Sequence, residues 1–317
     1  MAGLIPGKKQ SAYLGFETTF GTKASSLVAY PISTLGGGIK VDYINADTKV
    51  GKRVMTGNYI GSKLGEAEIE TIAYDKASGY LFKAVLGSVS SSLIGASAAY
   101  EHTFTYADTL PSLTLQNKLS DVKAYDYLGV VLDELTVKAS VKDFIKLNGK
   151  FIFQDEVEEA SPETSTWSEE NPFLTKQIQL KIDDSEFAEA TDFELTIKNN
   201  VKNDDYRLNQ SDKVASLDPQ GLDISGKLTV VFNATSVGLR DKFLNGTKMK
   251  LELIATGSEI ESGYNRSLTI TLPEVQVTDG QIDASGDAMT MEIPFTAFLP
   301  DSGEIITIKL VNEETSY

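Results

Sequence analysis

Cysteine is absent from this 317-residue chain, which removes disulfide staples, thiolate nucleophiles and Cys-ligated zinc together. Histidine occurs once, as His102, so metal sites built from clustered His and Cys are excluded as well. Arginine is confined to Arg53, Arg207, Arg240 and Arg266. Acidic residues outnumber basic ones 45 to 29, for a net charge of −16. Surfaces that grip a duplex need clustered Lys and Arg to displace counterions from phosphates, so a chain of this charge repels nucleic acid on average. No run is long and apolar enough to span a bilayer: the longest uncharged stretch, 84–100, is dominated by Ser, Gly and Ala. The opening MAGLIPGKKQ has no apolar segment of the kind a signal peptide requires. A soluble protein with no membrane partner is therefore expected, either from a reducing interior or stabilised by assembly.

What is present supports a folded, strand-rich protein. Hydrophobic residues make up 41% of the chain, enough for a core, and the length suits one large or two ordinary domains. Alternating apolar and polar residues recur in LTVKA (135–139), DFELTIK (192–198), KLELIA (250–255) and EIITIKL (304–310), the period-two pattern of half-buried strands. Asn148-Gly149 and Asn245-Gly246 read as turn signals between such runs. Two segments have helical spacing instead. In YDKASGYLFKAVLG, Ala77, Leu81, Ala84 and Val85 form an apolar face behind a candidate Asp75 cap. In NATSVGLRDKFLNG, Val237, Leu239, Phe243 and Leu244 do so behind Thr235 or Ser236. Gly87 and Gly246 are placed to end these helices.

The segment 154–172, QDEVEEASPETSTWSEENP, is acidic and nearly free of aliphatic residues. It reads as an exposed linker, with a surface loop inside one domain as the alternative. The two sides of it run in parallel. Each has an alternating strand (GGGIKVDY; DFELTIKN), then a long polar excursion, then a Gly-led strand (GEAEIETIAY; GKLTVVFN) and a helix. An SLT-led strand follows (SLTLQ at 112–116; SLTIT at 267–271), and each half closes on GKFIFQ or PFTAFL. A duplicated unit is expected: a first β-domain over 1–153 with an N-terminal arm, the acidic linker over 154–172, and a second β-domain over 173–317.

Sites for chemistry are hard to find. His102 lies in the strand-like AYEHTFTY with no G-x-S-x-G elbow anywhere, so a structural or exposed strand histidine is expected rather than a triad member. Asp183-Asp184 and Asn203-Asp204-Asp205 lack calcium-loop spacing and read as solvated turn acids. Gly36-Gly37-Gly38 precedes a strand and lacks the G-K-[ST] of a phosphate loop. With 45 acids some carboxylate pair always exists, which makes that signal uninformative for glycoside hydrolysis. No enzyme activity, cofactor or metal is expected. The excursions are the more specific candidates: Lys49, Lys52 and Arg53 form a basic cluster in the first, and Asp204, Asp205, Arg207 and Asp212 occupy the corresponding stretch of the second. Solvated hairpin loops are the ordinary reading; contacts that fix register between stacked subunits are the sharper one.

Taken in order, several stretches resemble the tail tube proteins of long-tailed bacteriophages, in the form with two halves. They are AYLGFETTFGTKAS near the N-terminus, GYLFKAVLGS followed by HTFTYADTLPSLTLQ, FELTIKNNVKNDDYRLN, and SLTITLPEVQVTDG with IPFTAF at the close. The resemblance implies two tandem β-sandwich or barrel-like domains, each flanked by an α-helix. It also implies a structural, non-catalytic virion protein whose rings stack into a hollow conduit for the genome during ejection. Three two-domain chains would supply the same six domains as a ring of six single-domain ones, with six chains the alternative. The implied partners are further copies of the chain and the tape measure, tail tip and terminator proteins, with DNA passing through unbound. The implied location is the virion tail, after assembly in the host cytoplasm. The net negative charge fits a conduit that denies a polyanion cationic contacts. The rival readings are another virion β-protein, such as a decoration or tail-tip component, and a secreted carbohydrate-binding or hydrolytic β-protein.

Overall fold

The computed structural model describes residues 4, 6–52, 54–167, 170–208, 211–284 and 289–317. As the alternating runs predict, the chain is mainly β, with two α-helices among the described residues. Up to the acidic segment the order is β1 (Gln10–Phe16), β2 (Val28–Tyr30), β3 (Thr34–Ala46), β4 (Gly57–Ile72), α1 (Ser78–Leu86), β5 (Gly87–Leu93) and β6 (Tyr100–Tyr106). Then come β7 (Leu113–Leu119), β8 (Lys123–Ser140), β9 (Lys146–Phe153) and β10 (Asp155–Glu158). The second half contains β11 (Ile178–Ile182), β12 (Ser185–Glu186), β13 (Ala190–Lys198), β14 (Val201–Lys202), β15 (Asp218–Pro219), β16 (Asp223–Val231) and α2 (Val237–Asn245). It ends with β17 (Lys248–Glu261), β18 (Tyr264–Val277), β19 (Gln281–Asp283), β20 (Thr290–Ala297) and β21 (Thr307–Asn312).

Period-two burial makes these strands. β13 buries Phe193, Leu195 and Ile197, and β20 buries Met291, Ile293, Phe295 and Ala297, with polar residues between them facing out. Seven strands form a central antiparallel sheet in the spatial order β3, β4, β9, β8, β13, β16, β20. The far side of β20 carries the end of β18 and then β19. β8 is long enough to serve two sheets: its first part pairs with β7 and β10, and its part beyond Val131 with β9 and β13. β18 does the same, pairing with β17 and β21 before reaching β20. The sheets are large and none closes into a barrel on its own. One hydrophobic cluster, with residues from both halves, fills the space between the sheets and α1.

The pairing repeats along the chain. The ladders β1–β2, β1–β7, β3–β4, β4–β9, β7–β8, β8–β9 and β8–β10 recur as β11–β12, β11–β17, β13–β16, β16–β20, β17–β18, β18–β20 and β18–β21. α1 follows β4 as α2 follows β16. The repeat extends to single residues. Gly65 of β4 faces Phe153 of β9, and Gly226 of β16 faces Phe295 of β20. A Cβ built on Gly65 would lie 2.0 Å from the Phe153 ring, and one on Gly226 2.5 Å from that of Phe295. Glycine here is space for a buried aromatic ring, used twice.

Five expectations need correction. SLTLQ lies at the start of β7, whose counterpart by pairing is β17, whereas SLTIT lies in β18, the counterpart of β8. The first half inserts the β5–β6 hairpin after its helix, and an SLT run specifies a strand with one buried face without saying which strand. Asn148-Gly149 is not a turn; it sits inside β9, opposite Glu70 and Ile69 of β4, and ladder pairing overrides the local preference. Asp75 does not cap α1. It is fully buried, accepts hydrogen bonds from the Asn171 backbone (3.0 Å) and side chain (3.1 Å), and pairs with Arg266 at 2.7 Å. The Glu170 carboxylate takes the Ala77 N–H at the helix start instead (2.7 Å). Neither Thr235 nor Ser236 caps α2 by its side chain; Asn233 Oδ1 receives both of their N–H groups. α2 also packs more shallowly than its pattern predicts, burying Leu239 and leaving Leu244 exposed.

The acidic segment is anchored at both ends. Asp155–Glu158 form β10 on β8, and Glu170 and Asn171 bind the start of α1. Between them the Gln116 side chain receives the Glu163 N–H at 2.7 Å.

Candidate assembly surfaces

The β3–β4 hairpin is paired from Thr34↔Glu70 out to Ala46↔Gly57. Up to Asp42 its inner face packs on the core; beyond that it leaves the body. Tyr43, Ile44, Tyr59 and Ile60 are all exposed, Tyr59 at 65%, and Val50, Val54 and Met55 in the connecting loop are exposed too. Adjacent exposed apolar residues on both strands mean that neither face of the hairpin is sheltered. An apolar patch of this kind marks an interaction site, because a monomer gains nothing by keeping it in water. Thr56 Oγ1 donates to the Ala46 carbonyl and closes the loop. Lys49 and Lys52 lie exposed in that loop with no ion pair among the described residues; Arg53 lies outside the described residues.

The second-half excursion behaves differently, because it folds back on the first half. Val201, Val214 and Leu217 pack with Val131 in a small apolar cluster, and β14 pairs with β15 to close its base. Arg207 binds Asp205 at 2.6 Å, and Ser216 Oγ donates to the same carboxylate at 3.0 Å. The Arg207 and Ser216 hydrogen bonds hold the Asp205 carboxyl below its usual range. Asp212 binds Lys63 of β4 at 2.7 Å, which holds that carboxyl low and raises the Lys63 ammonium. Tyr206 donates its hydroxyl to the Lys63 carbonyl at 3.1 Å. Asp204 is the looser member, 3.8 Å from Lys202. The structure thus brings Asp205, Arg207 and Asp212 together with residues of their own loop and the body end of the hairpin, and not with Lys49 or Lys52 at its tip.

Sequence reading missed the apolar hairpin. The available signal was the pairing of adjacent apolar residues, Tyr43-Ile44 and Tyr59-Ile60, which breaks the alternation required of a strand with one wet face.

The outer face of the central sheet is the second surface. Four of its lysines are matched across strands: Lys40 with Glu66, Lys150 with Glu134 (2.6 Å), Lys138 with Glu194 (3.5 Å) and Lys227 with Glu292 (4.0 Å). Glu68, Glu70 and Asp192 lie on the same face. Lysines held by carboxylates offer a polyanion few free cations, while the additional acids repel it. At the two ends of the sheet, β3 pairs only with β4 and β19 only with β20 among the described residues.

His102 is a buried strand residue. Its Nδ1 is 2.8 Å from Ser91 Oγ, its Nε2 is 3.0 Å from Asn312 Oδ1, and the Tyr317 ring packs edge-on against it. Burial pushes its pKa down. Both ring nitrogens are thus held by neutral side chains of neighbouring strands, and the ring is fully buried. Among the described residues no cluster of His, Asp and Glu has the form of a metal site, and no helix is long and apolar enough to cross a membrane.

A family model described as phage tail tube protein matches residues 7–297. No curated protein matches the chain.

Proposed function

Since the chain belongs to the phage tail tube family, and is therefore a structural component of the virion tail, we propose that it is the repeating subunit of a hollow tube. Copies close into rings by continuing the central sheet from chain to chain, and rings stack to form the conduit for genome ejection. The observation that carries this reading is a sheet with one core-packed face, one charge-paired outer face and, among the described residues, an end strand at each side, β3 and β19, that pairs with one strand only. Joined edge to edge, such sheets enclose a lumen whose wall is the charged face. A wall with most of its lysines neutralised and further acids between them lets DNA slide without specific binding.

The units 1–153, completed by β10 at the start of the acidic segment, and 173–317 are two copies of one tube domain joined by the rest of that segment. The repeated ladders and the Gly65–Phe153 and Gly226–Phe295 pairs support this. Three chains per ring then supply six domains. Stacking uses the β3–β4 hairpin, its exposed apolar residues covered by the next ring and Lys49, Lys52 and Arg53 setting register against acids such as Asp204. A head-to-tail contact of this kind builds an open filament. The role is mechanical, with no catalysis and no cofactor. Tape measure, tail tip and terminator proteins are the partners in the lumen and at the ends, and subunits assemble in the host cytoplasm. Negative-stain imaging of the purified protein tests the reading. Stacked rings with a central channel are expected; discrete globules under every polymerising condition would refute it.

A further inference from the structure

Every ladder of the repeat in the first half has a counterpart in the second; apart from the inserted β5–β6 hairpin with its β6–β21 ladder and the small β14–β15 pair, one ladder remains without one. β13 pairs with the outer part of β8 from Asp192↔Ser140 to Lys198↔Glu134, joining the two halves. Its counterpart would join β3, the equivalent of β13, to the β18–β19 edge, the equivalent of β8. Within one chain these two edges lie at opposite ends of the central sheet. Resting on the tube reading above, we propose that a second copy of the chain supplies the missing ladder, in the register of β8–β13.

The register follows from the structure. Gly65 faces Ile39 and Gly226 faces Leu195, which makes Ile39 the equivalent of Leu195 and Val41 the equivalent of Ile197. Along the other edge, both halves step over one extra residue at the same place. β8 does so at Asp133 against β9, and the chain between Val277↔Phe295 and Gln281↔Glu292 does so against β20. Counting from the Gly–Phe pairs, Gln281, Ile282 and Asp283 are then the equivalents of Glu134, Leu135 and Thr136. Since β8–β13 pairs Leu135 with Ile197 and Thr136 with Thr196, Ile282 of one copy faces Val41 of the next. Asp283 faces Lys40, and Gln281 faces Asp42.

Burial supports the same assignment. Leu135, Leu195 and Ile197 are fully buried. Their equivalents are not: Ile282 is 43% exposed, and Ile39 and Val41 are half-buried. A β3 strand docked on β19 covers the residues that the internal joint covers already. In the single chain the outward N–H of Ile39 is taken by Glu156 Oε2 at 3.2 Å, a side-chain substitute for a strand partner.

Cross-linking tests this in a chain that has no cysteine of its own. Two double variants are made, V41C/I282C and K40C/D283C, the second placed on the exposed face so that folding does not depend on a core substitution. Each is allowed to assemble, imaged, and oxidised. Directly opposed residues of an antiparallel pair are close enough for a disulfide. Both variants are expected to give covalent multimers that vanish on reduction. The shifted pair K40C/I282C, whose side chains would lie on opposite faces, stays uncrosslinked. Rings that form without cross-links at either matched pair, or cross-link equally in the shifted pair, overturn the register while leaving the tube reading intact. A failure to form rings at all in the parent protein overturns both.

Discussion

At the scale of single residues, three positions carry testable weight. Gly65 leaves room for the fully buried Phe153 ring. G65A should therefore cost about 1–3 kcal/mol by overpacking, read as a lower denaturation midpoint, and the double variant G65A/F153L should recover part of the loss. Arg266 is the partner of Asp75, which has no exposed surface and links the start of α1, the acidic segment and β18. Removing one member of such a pair leaves a buried charge uncompensated, so R266A should lose about 3–5 kcal/mol, whereas a change at exposed Lys49 should lose almost none.

His102 sets a pH dependence. Burial lowers its pKa in the folded protein, so below about pH 6.5 the unfolded chain binds a proton that the folded chain resists. Its contribution to stability is whole above that value and is lost as pH falls through the depressed one. H102N should flatten the fall in melting temperature across that window. An unchanged slope in the variant would show that other groups produce it.

At the scale of elements, the β3–β4 hairpin divides folding from assembly. Its distal residues Tyr43, Ile44, Tyr59 and Ile60 are exposed, so I44S/Y59S/I60S should leave the melting temperature within a degree or two of the parent while abolishing long tubes. Rings should still form, because the edge of β3 nearer the body is intact. K49E/K52E should shorten tubes more weakly, and in a salt-dependent way. Measured tube-length distributions separate the two effects.

Elements also show where sequence reading works. β4, β13, β16 and α1 are legible because each has a buried face at a fixed period, and Gly65 and Gly226 align as leaders of equivalent strands. The SLT runs misled because they encode a strand's burial pattern and not its neighbours. Asn148-Gly149 misled because a local turn preference of this size yields to two flanking ladders. The apolar hairpin was visible only as a break in alternation, and the Asp75–Arg266 pair, 191 residues apart, leaves no local trace.

At the scale of the whole molecule, the chain is a sheet with a beginning and an end. In the proposed ring its internal β8–β13 joint supplies the geometry for joining one copy to the next, and its acidic excess lies partly on the face that such joining would turn inward. Free edges of this length ordinarily invite indiscriminate pairing; here Glu156 occupies one outward N–H of β3. E156A should therefore nucleate assembly faster, seen as a shorter lag in light scattering, without altering the rings produced.

The central claim is that one chain carries two tube units and that three chains close a ring. Native mass spectrometry of rings released from assembled tubes tests it most directly. A species of three chains is expected; a six-chain ring would contradict the duplicated-unit count, and a protein that remains monomeric under all assembly conditions would contradict the tube itself.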